Sequence, residues 1–516
     1  MQDALTMGAV VRRSSTQYPN RTAMIFGEER VTFFEYNRRV NKAAHVIASL
    51  GVNKGEHIAI LGKNSIQYLE LCHGSAKVGT VFGTINWRLS AEEISFIVRD
   101  ADNLVLFVES GFQDLVGKFV QDIKGIKLVV YGGGKITLAG ASRYEDLHQV
   151  ASDAEPDVEV NGEDEAVIMY TSGTTGLPKG AVLTHGNIMW DATACLTYTP
   201  PQQTDCFLLS MPMSHVSGLH TQTTTFILRG LPMVIMSQWE PEAACQLIEK
   251  HRITLAYILV APLLQLMDSP IRKKYDLTSL RRVMTAAAKY SPEMVNKWLH
   301  ELEIDGIYFA YGLTEAAPIV SFTEFNSQMV VKPNSLGFPV WYNDVLIVDE
   351  NDSPLPAGEV GEIIVRGPNV FKGYYKREET NAQVLRNGWL HTGDLGYYDE
   401  DNFLFFVDRK KDMIKSGGEN VYSIEVELAI LKTSPEILEV AVIGIPDHKW
   451  GEAVTAFAVL KPGLSTAQDQ VIARAREILA GYKLPKKVEF VESLPKNVSG
   501  KVLKRMIRDS YVAEKK

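Results

Sequence analysis

The chain has 516 residues, 46% of them hydrophobic and 22% charged, which is ample material for a large globular enzyme of more than one domain. Acidic residues outnumber basic ones, 62 to 53, for a formal net charge of -9. No basic stripe is present, which argues against a nucleic-acid-binding protein. In chain order, helical spacing over 43–50, an apolar strand at 57–61, helical periodicity over 65–78 and further strands at 104–108 and 127–130 predict alternating α and β elements. That alternation implies a largely parallel sheet covered on both faces. Two more apolar runs, 166–169 and 181–183, flank a loop rich in Gly and Thr. From Val345 onward the pattern changes: short strands at 345–348 and 362–365, separated by a turn cluster at 350–354, predict a more antiparallel, β-rich region. A strand at 403–407 leads into a charged stretch, Asp408-Arg409-Lys410-Lys411-Asp412. Beyond it lies a compact α+β pattern: a helix at 423–431 with Ser423 as N-cap, strands at 440–445 and 454–460, and a helix at 469–479. The predicted fold class is α/β, with a large domain over 1–409 and a small α+β domain over 410–516, divided at the charged stretch.

The four cysteines, Cys72, Cys195, Cys206 and Cys245, form no Cys-x-x-Cys pair, which argues against a disulfide framework or zinc site and fits a reducing cytoplasm. Residues 1–15 lack the apolar core of a secretory signal. The longest apolar stretch, 255–267, is broken by Pro262 and Gln265 and is too short to span a bilayer. A soluble cytoplasmic protein without a transmembrane segment is therefore expected.

The strongest local signal is Tyr170-Thr-Ser-Gly-Thr-Thr-Gly-Leu-Pro-Lys179-Gly180. Glycines let backbone N–H groups converge on phosphate oxygens, while hydroxyls and one lysine add donors and charge. It is not a Walker A loop, because no Gly-Lys-Ser/Thr follows at the required spacing. Read alone, it leaves a flexible Gly/Thr hairpin as the lesser alternative. Residues 171–180 resemble the phosphate-loop signature of the adenylate-forming (AMP-binding) superfamily, which includes acyl-CoA synthetases, 4-coumarate-CoA ligases, luciferases and peptide-synthetase adenylation domains. The resemblance continues in the family's order through Met211-Pro-Met-Ser-His215, Tyr311-Gly-Leu-Thr-Glu315, Gly388-Trp-Leu-His-Thr-Gly-Asp394, Asp408-Arg-Lys-Lys-Asp412 and Pro495-Lys-Asn-Val-Ser-Gly-Lys501. It covers nearly the whole chain and is strongest toward the acyl-CoA synthetase and 4-coumarate-CoA ligase branch.

The resemblance implies an ATP-dependent ligase that activates a fatty or arylalkanoic acid as acyl-AMP and forms the acyl-CoA thioester, with ATP, Mg²⁺ and coenzyme A as its small molecules. By that resemblance the nucleotide is held by Thr171, Ser172, Gly173, Thr174, Thr175, Lys179, Tyr311, Gly312, Thr314, Asp394, Arg409 and Lys501. Tyr311 stacks on adenine, and Asp394 accepts from both ribose hydroxyls, a task suited to a carboxylate. Glu315 and Thr175 are the implied Mg²⁺ partners. Lys501 is the lysine bridging the substrate carboxylate and the α-phosphate, with His215, Thr314 and Glu315 completing the catalytic set. The acyl pocket draws on His215, Ser217, His220, Gly312, Ala316, Ala317 and Ile319, a lining that reads as small and apolar without a fixed charge. In related ligases the small domain is mobile and rotates about the position of Lys411. Ser416, Gly417, Gly418, Trp450, Tyr482 and Lys486 then face coenzyme A, with Lys483 beside them. A homodimer is left open.

Two departures stand out. Ala286-Ala287-Ala288-Lys289 replaces the Gly-Gly-Ala-Pro of many relatives, which makes transfer of substrate identity unsafe, and Lys504 stands where Arg often follows the catalytic lysine. Three alternatives stay open: a stand-alone adenylation enzyme loading a carrier protein, a luciferase-like oxygenase sharing the same motifs, and a nucleotide-binding pseudoenzyme.

Overall fold

A computed structural model describes residues 5–171, 178–286, 292–325, 332, 334–496 and 502–514. By contacts the chain divides into two units, Met1–Asp344 with Val365–Leu390, and Val345–Ile364 with His391–Lys516. The boundary expected at 409/410 falls inside the second of these.

The first unit contains an eight-stranded sheet in the order Gly373–Tyr374, Lys179–Thr184, Glu165–Thr171, Val81–Ile85, His57–Leu61, Val105–Glu109, Lys127–Tyr131 and Ser142–Arg143. From Glu165–Thr171 onward its neighbours are parallel, as the alternating pattern predicts. Every residue of His57–Leu61 and Val81–Ile85 is buried, the signature of a strand covered on both faces. The helix expected at 43–50 is the second half of a longer one, Phe33–Ser49, which begins at a capping box in which Thr32 accepts from Glu35 N while the Glu35 side chain binds back. Ser65 caps the helix Ile66–Val78 in the same manner, accepting from Tyr68 N. Such a cap stabilises by about 1 kcal/mol.

A second sheet in this unit runs Ser335–Pro339, Ile319–Phe325, Gly306–Gly312, Arg282–Ala286, Leu255–Tyr257, Phe207–Leu209, Met233–Ile235, Thr22–Phe26 and Glu29–Thr32. Its centre is parallel and both edges are antiparallel. Trp298, Leu266, Ile307 and their neighbours form the core on one of its faces.

The second unit contains the strands Asp344–Val348, Gly361–Arg366, Trp389–Tyr398 and Leu404–Arg409, the last two antiparallel as expected. A five-stranded sheet follows, built on the long hairpin Ile437–Asp447 and Gly451–Leu460. The helices Ser423–Thr433 and Gln468–Ala475 bury Val426, Ile430, Val471 and Ala475 against it. The N-cap expectation is corrected here. Tyr422 precedes the helix Ser423–Thr433 without a side-chain cap, and Ser423 is its first residue, both its N–H and its hydroxyl donating to Asp408. A carboxylate from the strand Leu404–Arg409 thus satisfies the free N–H groups that a local cap was expected to take. Among the described residues no helix is long and apolar enough to cross a membrane.

Candidate active site

The Gly/Thr loop springs from a hairpin. Glu165–Thr171 and Lys179–Thr184 are antiparallel with Thr171 opposite Lys179, so the loop leaves and re-enters the sheet at one point. Ser172, Gly173, Thr174 and Thr175 lie outside the described residues, as do Ala287, Ala288, Lys289 and Lys501. Beyond Lys179–Thr184 the sheet continues with Gly373–Tyr374, Tyr374 opposite Ala181. Lys179 Nζ lies 5.5 Å from the centroid of the Tyr374 ring, a cation–π distance. The Tyr374 hydroxyl donates to Glu315 Oε1 at 2.5 Å. Asn381 fixes this tyrosine by accepting from its N–H at 2.7 Å and donating to its carbonyl at 2.9 Å. Lys179 and Glu315, far apart in sequence, therefore meet through a residue that no motif singled out.

Thr314–Ala316 forms a tight turn between Gly306–Gly312 and Ile319–Phe325, which pair with Tyr311 opposite Ser321 and Gly312 opposite Ile319. Gly312 is required by space: a Cβ there would lie 1.8 Å from the Pro318 carbonyl oxygen. Neutral amides hold the turn. Asn369, fully buried, donates to the carbonyls of Ala316 at 2.7 Å and Ile319 at 2.8 Å. Asn187, in the capping box of the helix His185–Tyr198, donates to the carbonyls of Pro368 and Val370. The result leaves Tyr311, Thr314 and Glu315 partly exposed at one end of the sheet. Glu315 offers a hard oxygen of the kind that could hold a divalent ion, and among the described residues no group of three or more His, Cys, Asp or Glu is placed to hold one. That donor set fits Mg²⁺, which binds through one or two carboxylates and otherwise through phosphate and water.

Of the residues expected at the acyl pocket, Ala316 ends this turn, Ala317 follows it and Ile319 opens the next strand, and all three are buried. His215 is half-buried, with its Nε2 buried, two residues before Ser217, which opens an irregular five-residue π turn, Ser217–Thr221, of the kind often found at functional sites. Burial pushes the His215 pKa down to about 4, and its Nε2 has no hydrogen-bond partner among the described residues. Ser217 stands beside the Tyr257 hydroxyl. His220 has His73 and His185 as electrostatic neighbours, and burial pushes its pKa down to about 3.

In the second unit Asp394 and Arg409 are opposite each other on Trp389–Tyr398 and Leu404–Arg409, with Arg409 Nε 3.1 Å from Asp394 Oδ1. Sequence reasoning missed the group that shapes this pair. Glu362 accepts from Gly393 N at 3.1 Å and from Lys410 Nζ at 3.0 Å, while Thr392 bonds the Ile363 carbonyl. No local signal marks Glu362, because its partners lie in another strand. Buried Asp408 accepts from Arg409 N at 2.7 Å and from both polar groups of Ser423. Lys411 is exposed within the turn that follows.

Gly417 and Gly418, with φ of 63° and 87°, form the two-residue turn of the hairpin Ile414–Ser416 and Glu419–Val421. Both positions need the left-handed region. Gly417 N donates to the Trp450 carbonyl at 2.7 Å, and a Cβ on Gly417 would lie 3.2 Å from the indole, so these predicted coenzyme A residues do come together. Lys486 and Lys449 each place an ammonium 4.6 Å from the Trp450 ring centroid. Ser416 is buried, Tyr482 is exposed, and Lys483 is engaged by Glu425 at 2.6 Å. Lys504 is paired with Glu427 at 2.7 Å and donates to Ser423, a structural role.

Residues 11–375 match the family model of the AMP-binding enzyme, and residues 425–501 that of the AMP-binding enzyme C-terminal domain. A feruloyl-CoA synthase from an Amycolatopsis species is 35% identical over 98% of this chain and 99% of its own. A long-chain-fatty-acid–CoA ligase from Mycobacterium tuberculosis is 34% identical over 98% of this chain and 99% of its own. The solved structure of o-succinylbenzoate CoA synthetase from Bacillus subtilis, in complex with ATP and magnesium ion, superposes with a TM-score of 0.84 at 28% identity, covering 97% of this chain and 99% of that one. The chain belongs to the AMP-binding enzyme family and, within it, to the ATP-dependent acyl-CoA ligases.

Proposed function

We propose that this ligase activates a fatty or arylalkanoic acid, with residue roles that follow the two clusters described above. The observation that carries the reading is the chain of contacts from Lys179 through Tyr374 to Glu315, which gathers a cation and a carboxylate beside the strand that follows the Gly/Thr segment. In the first step the acid's carboxylate oxygen attacks the α-phosphorus of ATP, the bond to the β-phosphate breaks, and pyrophosphate leaves. Lys179 and the loop hydroxyls of Thr171, Ser172, Thr174 and Thr175 bind phosphate, Tyr311 and Gly312 the base, and Thr314 the α-phosphate. Glu315 and Thr175 hold Mg²⁺, which neutralises phosphate charge when bound. Lys501 bridges the two reacting groups and His215 orients the acid. Asp394, oriented by Arg409, takes the ribose hydroxyls.

In the second step the thiol sulfur of coenzyme A attacks the acyl carbonyl, AMP leaves, and the thiol proton is lost to solvent. A narrow pantetheine arm passes Ser416, Gly417 and Gly418 alongside Trp450, with Tyr482 and Lys486 toward the nucleotide. Residues 410–516 act as a mobile domain turning at Lys411 between the steps. The relatives' names span an aromatic and a long aliphatic acid, which supports that range of substrates. Four buried free cysteines fit a cytoplasmic enzyme, and sedimentation reads whether it is a homodimer.

The test is AMP release from ATP with straight-chain, branched and aromatic acids, with and without coenzyme A. Turnover that requires coenzyme A and one class of acid is expected. Adenylate formation that coenzyme A does not accelerate overturns the acceptor and favours loading of a carrier protein.

A further inference from the structure

Glu362 serves two partners, and each stands next to a residue that a different step of the reaction uses. It lies buried on the strand Gly361–Arg366. Its Oε1 accepts from Gly393 N at 3.1 Å, and its Oε2 accepts from Lys410 Nζ at 3.0 Å. Ile363, the next residue of that strand, adds a second attachment. Its carbonyl accepts from the Thr392 hydroxyl at 2.6 Å, and that hydroxyl in turn accepts from Asp394 N at 3.1 Å. The segment that presents Asp394 therefore hangs from two successive residues of the neighbouring strand.

A third bond closes a ring. The Gly393 carbonyl accepts from Lys410 N at 2.9 Å, so Glu362, Gly393 and Lys410 are joined pairwise. Both the main chain and the side chain of Lys410 are thereby pinned, one residue before Lys411. Just beyond Lys411, Asp412 N and Met413 N donate to the Arg409 carbonyl at 2.8 and 3.0 Å. Exposed Lys411 thus lies within a turn whose entry is fixed by the ring. His391 Nδ1 stands 3.5 Å from Glu362 Oε2 without a hydrogen bond, which leaves Lys410 as the donor to that oxygen. Burying a carboxylate costs desolvation that its partners barely repay, and an apolar side chain of similar size would hold the strand as well. An apolar side chain would not accept from Gly393 N and Lys410 Nζ at once.

We propose that Glu362 is a positioning residue with one oxygen for each half-reaction. Oε1 sets the segment that offers Asp394 to the ribose, and so acts on nucleotide binding in the adenylation step. Oε2 anchors Lys410, so that a turn at Lys411 is taken up beyond the ring and does not reach Asp394. The inference rests on the roles proposed above for Asp394 and Lys411. Its physical basis is the bond from Lys410 N to the Gly393 carbonyl. Without the side-chain anchor, any rotation at Lys411 pulls through that single bond on Gly393 and on Asp394 beside it.

The experiment uses the full chain and two assays: the MgATP dependence of pyrophosphate exchange, and thioester formation from supplied acyl adenylate and coenzyme A. Glu362→Gln keeps a carbonyl oxygen for Gly393 N and removes the charge that holds Lys410. It is expected to leave the KM for MgATP within about 2-fold of wild type and to slow thioester formation roughly 10-fold. Lys410→Met is expected to give the same pattern, and it carries the test together with Glu362→Gln if the alanine variant does not fold. Glu362→Ala loses both bonds and is expected to raise the KM for MgATP roughly 10-fold in addition. A parallel fall of both half-reactions in all three variants makes Glu362 merely structural and overturns the proposal. So does thioester formation at the wild-type rate in Glu362→Gln. Asp394→Ala separates the two readings. If it raises the KM for MgATP while Glu362→Ala does not, the proposal alone falls; if Asp394→Ala leaves that KM unchanged, the ribose reading falls and the proposal with it.

Discussion

In the unit that carries the Gly/Thr loop, the functional turns are gripped by neutral amides in dry surroundings: Asn369 on Ala316 and Ile319, Asn187 on Pro368 and Val370, and Asn343 on Ile319. In the other unit the corresponding work falls to charged groups: Asp408 on Arg409 and Ser423, Glu362 on Gly393 and Lys410, Arg409 on Asp394, and Lys504 on Glu427. Buried neutral clamps respond little to salt and hold one geometry. Partly exposed ion pairs exchange readily with water and are individually weak. The first arrangement suits a site that must keep a phosphate-facing turn in place. The second suits a segment proposed to present different faces in successive steps.

Acid should separate the two units most. His73, His185, His215 and His220 all lie in the first, and burial pushes their pKa values down from 6.5 to about 4, 4, 4 and 3. The native rings stay neutral where unfolded ones take up protons, so their contribution is complete above pH 6.5 and is lost as the pH falls toward 4. At ~1.4 kcal/mol for each pKa step, the four together remove on the order of 10 kcal/mol. Urea unfolding at neutral and mildly acid pH, read by proteolysis and peptide mapping, should show the first unit weakening ahead of the second. Simultaneous loss breaks the comparison.

Asp408→Ala removes the acceptor of four donors at once: Arg409 N, Ser423 N, the Ser423 hydroxyl and Ile424 N. A loss of about 3 kcal/mol in the second unit is expected, with partial recovery in Asp408→Asn, measured as a shift of the urea midpoint. An unchanged midpoint means the charged clamp holds nothing. Lys411→Pro stiffens the proposed pivot. Thioester formation from supplied acyl adenylate should fall roughly 100-fold, about 2.7 kcal/mol, while pyrophosphate exchange persists. Equal loss of both half-reactions removes Lys411 as a hinge.

Asn369→Ala orphans the Ala316 carbonyl and leaves the Ile319 carbonyl to Asn343 alone, and is expected to cost about 2 kcal/mol of stability in the first unit, with slower pyrophosphate exchange as the Glu315 turn loosens. Loss of stability at unchanged exchange makes the clamp merely structural. The smallest effect is reserved for Tyr374→Phe, which keeps the ring beneath Lys179 and deletes the hydroxyl that bonds Glu315. A few-fold rise in the MgATP concentration needed for half-maximal exchange is expected, with a stability change under about 1 kcal/mol. No change in either quantity severs Tyr374 from the site.

Much of the fold could be read before any coordinates. The strand at 57–61 and the helix at 65–78 emerge almost residue for residue, because burial on both faces and a serine cap leave local marks. The helix at 43–50 was read short: its amphipathic half is visible, while the polar first turn announces itself only through the Thr32 and Glu35 pair. Ser423 misled for the opposite reason, since a residue of capping type stood at a helix start whose N–H groups are served by Asp408 from the strand Leu404–Arg409. The family resemblance singled out Lys179, Glu315, Asp394, Arg409, Gly417 and Trp450 as candidates, but not Tyr374, Glu362, Asn369 or Asp191, each of which acts on partners remote in sequence.

What the sequence determined by itself is therefore the local grammar: which segments are strands or helices, where glycines permit tight turns, and which motifs recur in family order. These depend on side chains within a few residues of one another, through periodicity, capping and backbone freedom. Only the tertiary structure decided which of those residues meet. Sheet register sets Asp394 against Arg409 and brings Tyr374 beside Ala181, within reach of Lys179 and Glu315, while helix packing sets Asp191 against Ile319. Register and packing are fixed by the burial of apolar side chains throughout the chain, so no spacing between two residues encodes their contact.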